Sequence, residues 1–177
     1  DQGYWEESLM TAPTDEAFIR DIQMTKAMGF NGVRKHQKVE DPRYLYHADR
    51  LGLLVWGEIG SAYIYSKEYV SRIHSEWIEA VARDYNHPCI VVWTPMNESW
   101  GVGNVKTDMA QQAHCNAMML TTKALDPTRV VIDNDGQYTR AEGFGAREDV
   151  SKIDNQEIIR RVQEAGIIGL GGAGFPT

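Results

Sequence analysis

The chain has 177 residues, a 42% hydrophobic and 24% charged composition and a formal net charge of -7. That composition suits one folded domain and excludes whole-length disorder. No Lys/Arg run is longer than two residues, so nucleic acid is not an expected partner. The chain opens at Asp1-Gln2-Gly3 without a basic and then apolar leader, and no apolar run approaches about 18 residues, so no membrane span is expected. Cys89 and Cys115 form neither a disulfide framework nor a zinc pattern. Two buried thiols in a reducing compartment are expected, with a cytoplasmic location. Without an initiator Met, Asp1 is expected to be a cut point inside a longer chain.

In chain order, Gly3-Tyr4-Trp5 reads as the tail of a strand. Thr14-Asp15-Glu16 supplies an N-cap and an acidic first turn for a helix that carries Phe18, Ile19, Ile22, Met24, Ala27 and Met28 and stops at Gly29. Residues 30–36 read as a short strand. Asp41-Pro42 caps a second helix through Tyr44, Leu45, Ala48 and Leu51 to Gly52. Residues 53–58 make another strand, and a long helix follows from about Ser66 to Asn86 with Val70, Ile73, Trp77, Ala80 and Val81 on one face. His87-Pro88 stops it. The apolar run Ile90-Val-Val-Trp-Thr94 suits a strand buried on both faces. A polar loop at 101–104 leads to a helix from about Thr107 to Leu125, where Met109, Met118 and Met119 form a stripe expected in the core. Val130-Val131-Ile132 is the last strand of this series.

Alternating strands and helices with short turns mean a parallel sheet with right-handed crossovers. His36, Glu58, Glu98 and Asp133 fall at the carboxyl ends of four successive strands. Convergence of several strand ends on one site is the barrel habit, whereas a doubly wound sheet uses one crevice. The length is short of the roughly 250 residues of a closed eight-stranded barrel. The expected fold is therefore α/β, a partial (β/α)8 TIM barrel of about four βα units over residues 1–136, followed by a linker at 137–150 and a short helix with a Gly-rich tail at 151–177.

The blocks Phe30-Asn-Gly-Val-Arg-Lys-His36, Ala48-Asp-Arg-Leu-Gly-Leu-Leu-Val-Trp-Gly-Glu58, Asn86-His-Pro-Cys-Ile-Val-Val-Trp93 and Asn97-Glu-Ser-Trp100 together resemble the catalytic barrel of glycoside hydrolase family 2, the β-galactosidase and β-glucuronidase group. The resemblance covers about residues 2–136 and implies a retaining β-glycosidase acting on O-glycosidic bonds, with a carbohydrate as its partner. It implies that Glu98 is the general acid/base and that Asn97 contacts the hydroxyl next to the reacting carbon. Arg34 is similar to the arginine that braces the pocket. His36 sits one place from the family spacing. Glu58 resembles the acidic residue that ends the third strand in the family; it and Asp133, which closes the fourth strand, are expected to bind substrate, and Trp100 is placed to line a sugar subsite. A retaining enzyme needs a second carboxylate about 5 to 5.5 Å from the first as nucleophile. In the family it lies on a later strand, so this chain alone is expected to be inactive. The exposed edges of such a partial barrel favour self-association.

His47, His74, His87 and His114 fall on helices or at helix ends and are expected to face solvent or cap, with no metal site. Gly169, Gly171 and Gly174 satisfy G-x-G-x-x-G without the helix that fingerprint requires, and no cofactor is expected. Residues 157–177 resemble the start of the C subunit of Rnf-type electron-transport complexes. Two other function classes therefore stand beside the glycosidase: a non-catalytic carbohydrate-binding or structural remnant, and a flavin-linked electron-transfer fragment.

Overall fold

A computed structural model describes residues 3–133, 154, 156 and 157. The expected linker at 137–150 and the Gly-rich tail lie outside the described residues. The chain divides into two units, Asp1–Tyr138 and Thr139–Thr177. The first unit is built from α1 (Asp15–Ala27), β1 (Gly32–Arg34), α2 (Pro42–Leu51), β2 (Leu54–Glu58), α3 (Lys67–Asp84), β3 (Ile90–Thr94), α4 (Met109–Leu125) and β4 (Val130–Val131). The strands form one sheet in the order β1-β2-β3-β4, and every pairing is parallel. Sequential order with no switch point is the order of a barrel wall rather than of a doubly wound sheet. No helix among the described residues is long and apolar enough to cross a membrane.

Each helix starts where a side-chain oxygen satisfies a free amide. Thr14, Asp41, Ser66 and Asp108 accept from Ala17, Arg43, Tyr69 and Ala110 respectively. Gly52 ends α2 at a φ of 71°, a left-handed cap that glycine adopts without a Cβ clash.

Register assigns the two faces of the sheet, because paired residues of parallel strands point the same way. Val33, Val55, Gly57, Trp93 and Val131 pair across one face and pack against the helices. There Trp77 of α3 meets Trp93 edge-on, with ring centroids 5.6 Å apart. The other face carries Arg34, Leu54, Trp56, Glu58, Val92, Thr94 and Val130. Leu54 and Val130 are exposed there, and β3, expected to be buried on both faces, has Val91 exposed and Val92 half-buried. In a closed barrel the inward face is filled by side chains from all the strands, and the described residues supply four of them.

Other expectations are corrected by packing. Gly3-Tyr4-Trp5 does not join the sheet: Trp5 makes a single antiparallel bridge to Leu9 and lays its ring edge-on to Phe18. Of the methionine stripe expected in the core, Met109 is exposed, Met119 is half-buried and Met118 is buried; Met24 and Met28 of α1 are exposed as well. The buried stripe of α4 is Gln111, His114, Cys115, Met118 and Thr122. Polar groups lie inside because they find partners: Thr122 accepts from Trp77 Nε1 at 2.8 Å, and Gln111 Oε1 accepts from the Asn104 amide at 2.8 Å.

His47 and His114 are buried, contrary to expectation. His114 Nδ1 lies 3.2 Å from His74 Nε2, with Tyr65 and Tyr69 against its ring. Burial, and then the His74 charge, hold His114 down at about 4; burial lowers His74 as well. In the unfolded chain both titrate near 6.5. The stability this neutrality represents is fully present above about pH 6.5 and is lost progressively as pH falls toward 4. Denaturation midpoints measured across that window are expected to fall with pH, and the slope is expected to shrink in His114→Gln. A flat wild-type profile would contradict the assignment.

Candidate active site

The polar cluster sits at the carboxyl end of the sheet, on the face opposite the helices. Arg34 ends β1 and Glu58 ends β2, and the register that pairs Arg34 with Trp56 and Glu58 with Thr94 aims all four side chains the same way. Arg34 Nε donates to Glu58 Oε2 at 2.6 Å, and its Nη2 donates to Asn97 Oδ1 at 2.5 Å. The guanidinium lies over the Trp56 ring, 5.1 Å from the centroid, while Trp56 Nε1 donates to Thr94 Oγ1. Arg34 is thus held from below by an aromatic face and from two sides by oxygen.

Glu58 is fully committed. Its side chain has no exposure, and beyond Arg34 it accepts from the Gln37 amide at 2.9 Å and has His36 Nδ1 at 3.4 Å. These partners hold its carboxylate in place between β1 and β2.

Beyond β3 the chain turns sharply. Asn97 is buried at 1% exposure; its amide donates to Ser61 Oγ at 3.4 Å and its Nδ2 has no hydrogen-bond partner among the described residues. Glu98 follows, exposed and in a left-handed backbone at φ 54°. Non-glycine residues rarely hold that conformation, and those that do cluster at functional sites. The turn is anchored downstream by Gly101, where a Cβ would meet Ala62 O at 3.0 Å, and by the buried Val102 and Val105. Glu98→Gly is expected to be about 1 kcal/mol more stable than Glu98→Ala, because glycine takes φ 54° without strain. Equal denaturation midpoints for the two variants would show that the turn stores no strain.

The structure therefore brings together Arg34, His36, Glu58 and Asn97, and Glu98 follows Asn97 in the chain at the exposed turn. Trp100 is exposed and meets Tyr63 edge-on at 5.4 Å between centroids. Asp133 follows β4 at the same end of the sheet. Its charge is felt by Tyr69, whose phenol is pushed up to about 12, mainly by burial. Sequence reading missed Trp56, Gln37, Ser61 and Tyr63. Of these, Trp56 carried a signal, because it stands two residues before Glu58 and so shares its face of the strand.

Residues 11–156 match the TIM barrel domain of glycosyl hydrolases family 2. The chain belongs to that family. A β-galactosidase of Vibrio cholerae is 33% identical over 78% of this chain, and a putative β-glucuronidase of Formosa agariphila is 28% identical over 89% of it. A solved Bacteroides uniformis β-glucuronidase superposes with a TM-score of 0.63 at 29% identity, covering 74% of this chain and 17% of that one. This family 2 chain spans only 13% and 15% of the length of those two curated relatives. The family match continues past Gln137 to residue 156, further than the resemblance read from the motifs. The likeness of the tail to an electron-transport subunit finds no support in these comparisons, and residues 158–177 lie outside the described residues.

Proposed function

We propose that this chain is the acid/base-bearing part of a retaining β-glycosidase barrel, that it holds a β-galactoside or β-glucuronide class sugar at the strand ends, and that alone it does not turn substrate over. The observation that carries the reading is the state of Asn97. Arg34 occupies its Oδ1 while its buried Nδ2 is left without a partner among the described residues. An unpaired buried amide costs about 1–3 kcal/mol, and a sugar hydroxyl oxygen arriving there would repair it. Asn97 would thereby fix the pyranose beside Glu98, whose carboxyl would protonate the departing oxygen and later take a proton from water. Arg34 and Glu58 position Asn97; His36 and Trp100 are placed to meet the sugar's periphery.

A retaining pair needs a second carboxylate about 5 to 5.5 Å away that is free to attack. Glu58 is tied to Arg34 and the Gln37 amide and does not serve. Nitrophenyl β-galactoside and β-glucuronide are expected to release no nitrophenolate above the level of a Glu98→Ala control. Release that vanishes in Glu98→Ala would show that the chain holds a complete pair and would overturn the claim of inactivity.

A further inference from the structure

At the other end of β3 from Glu98, three side chains converge that the glycosidase reading does not use. Asp49 of α2, His87 and Cys89 each offer one ligand atom, and these atoms lie within 4.8 Å of one another. Sequence reading finds no zinc spacing because Asp49 and His87 are 38 residues apart and only the fold brings α2 beside the turn that leads into β3. We propose that Asp49, His87 and Cys89 form a divalent transition-metal site, of the zinc type, which locks α2 to the entry of β3.

The geometry carries the proposal. Oδ2 of Asp49 stands 2.6 Å from His87 Nδ1, and Oδ1 accepts the Cys89 amide at 2.8 Å. The Cys89 thiol turns toward Leu45 O at 3.6 Å. Donors on one tetrahedral zinc lie roughly 3.4–3.7 Å apart, given metal bonds of about 2.0–2.3 Å. The Asp49–His87 contact must open by about 1 Å and the longer separations close by a similar amount, which is within the reach of side-chain torsions. Asp49 and His87 keep about a fifth of their side-chain surface exposed, which leaves an entry path and room for a water as fourth ligand. One carboxylate, one thiolate and one neutral imidazole around a dication sum to zero charge, which suits a site closed on one side by the buried Cys89.

Binding balances simply. The metal bonds to sulfur and the thiol proton leaves to solvent; the imidazole proton shifts to the nitrogen that is not coordinated. No electron is transferred.

Titration of the reduced full chain with Co2+ is expected to give a sulfur-to-cobalt charge-transfer band in the near ultraviolet, saturating at one ion per chain and abolished by added Zn2+. Cys89→Ser is expected to remove the band and Cys115→Ser to keep it; Cys115 is the only other cysteine. His87→Gln is expected to weaken Co2+ binding by at least about tenfold. Absence of the band in the wild-type chain would overturn the proposal whether or not the variants fold. So would a band that survives in Cys89→Ser or disappears only in Cys115→Ser.

Discussion

Trp93→Ala is expected to cost about 3–5 kcal/mol, the range for removing a large aromatic side chain from a closed core. That is a large share of the stability of a domain this size. Trp93 is 2% exposed and joins three parts of the fold. It stacks edge-on against Trp77 of α3, and its Nε1 donates to Asp126 Oδ2 at 2.9 Å at the end of α4. It also fills the space above Gly57, where a Cβ would lie 2.9 Å from the ring. The loss of Trp93 therefore opens a cavity and also removes a partner from Asp126. Burial opposes the Asp126 charge, but Arg129, Trp93 and Thr128 outweigh it and hold the carboxyl well below the usual range. The stability tied to that shift is present above the ordinary aspartate range near pH 4 and is lost as pH falls through the folded value. Trp93→Phe keeps a ring but not the hydrogen bond and is expected to lose clearly less. Urea denaturation of the three proteins at pH 7 checks this; a loss below about 1 kcal/mol for Trp93→Ala would show that the helix-side core does not rest on this residue.

Glu58→Gln is expected to cost about 2–4 kcal/mol. Removing one partner of a buried ion pair ordinarily costs about 3–5 kcal/mol, and the lower range applies because Arg34 keeps 37% of its side-chain surface exposed and gains water in compensation. The substitution keeps the shape and an oxygen for the Gln37 amide, but removes the charge that holds Arg34 Nε at 2.6 Å. Arg34 is also the donor to Asn97, so the same change is expected to loosen Asn97 and weaken sugar binding. A double-mutant cycle with Arg34→Met isolates the pair term. A coupling near zero would mean that Arg34 is positioned by Trp56 and Asn97 alone.

The helix starts were legible because capping is local: Thr14, Asp41 and Ser66 each act on an amide two or three residues away. The barrel order was legible because four apolar strands each ended in a polar residue, and the sheet follows chain order. What failed depended on distant partners. Met109 reads as core by type, yet it lies at the first position of α4, on the solvent side. His114 reads as surface by type, yet α3 supplies His74 and the β2–α3 loop supplies Tyr65 to enclose it. Burial of both faces was expected for Ile90–Thr94 from its composition, yet Val91 is exposed and Val92 only half-buried. At the candidate site, Asn97 and Glu98 stood out as polar residues closing an apolar run. The Arg34 bridge that orients Asn97 was not visible, because it spans 63 residues. The left-handed turn at Glu98 carries no glycine to announce it.

The central claim is that Asn97, oriented by Arg34, is the sugar-holding group. All five tryptophans lie at or before residue 100, and Trp56 and Trp100 stand at or beside the site. Intrinsic fluorescence therefore reports on binding directly. Titration with methyl β-galactoside and methyl β-glucuronide is expected to give a saturable change with one of the two sugars in the wild-type chain. Asn97→Ala is expected to raise the midpoint by at least about tenfold, equivalent to about 1.4 kcal/mol, while keeping a wild-type circular dichroism spectrum. A wild-type chain with a cooperative unfolding transition and no response to either sugar would contradict the account, as would an equal response in Asn97→Ala.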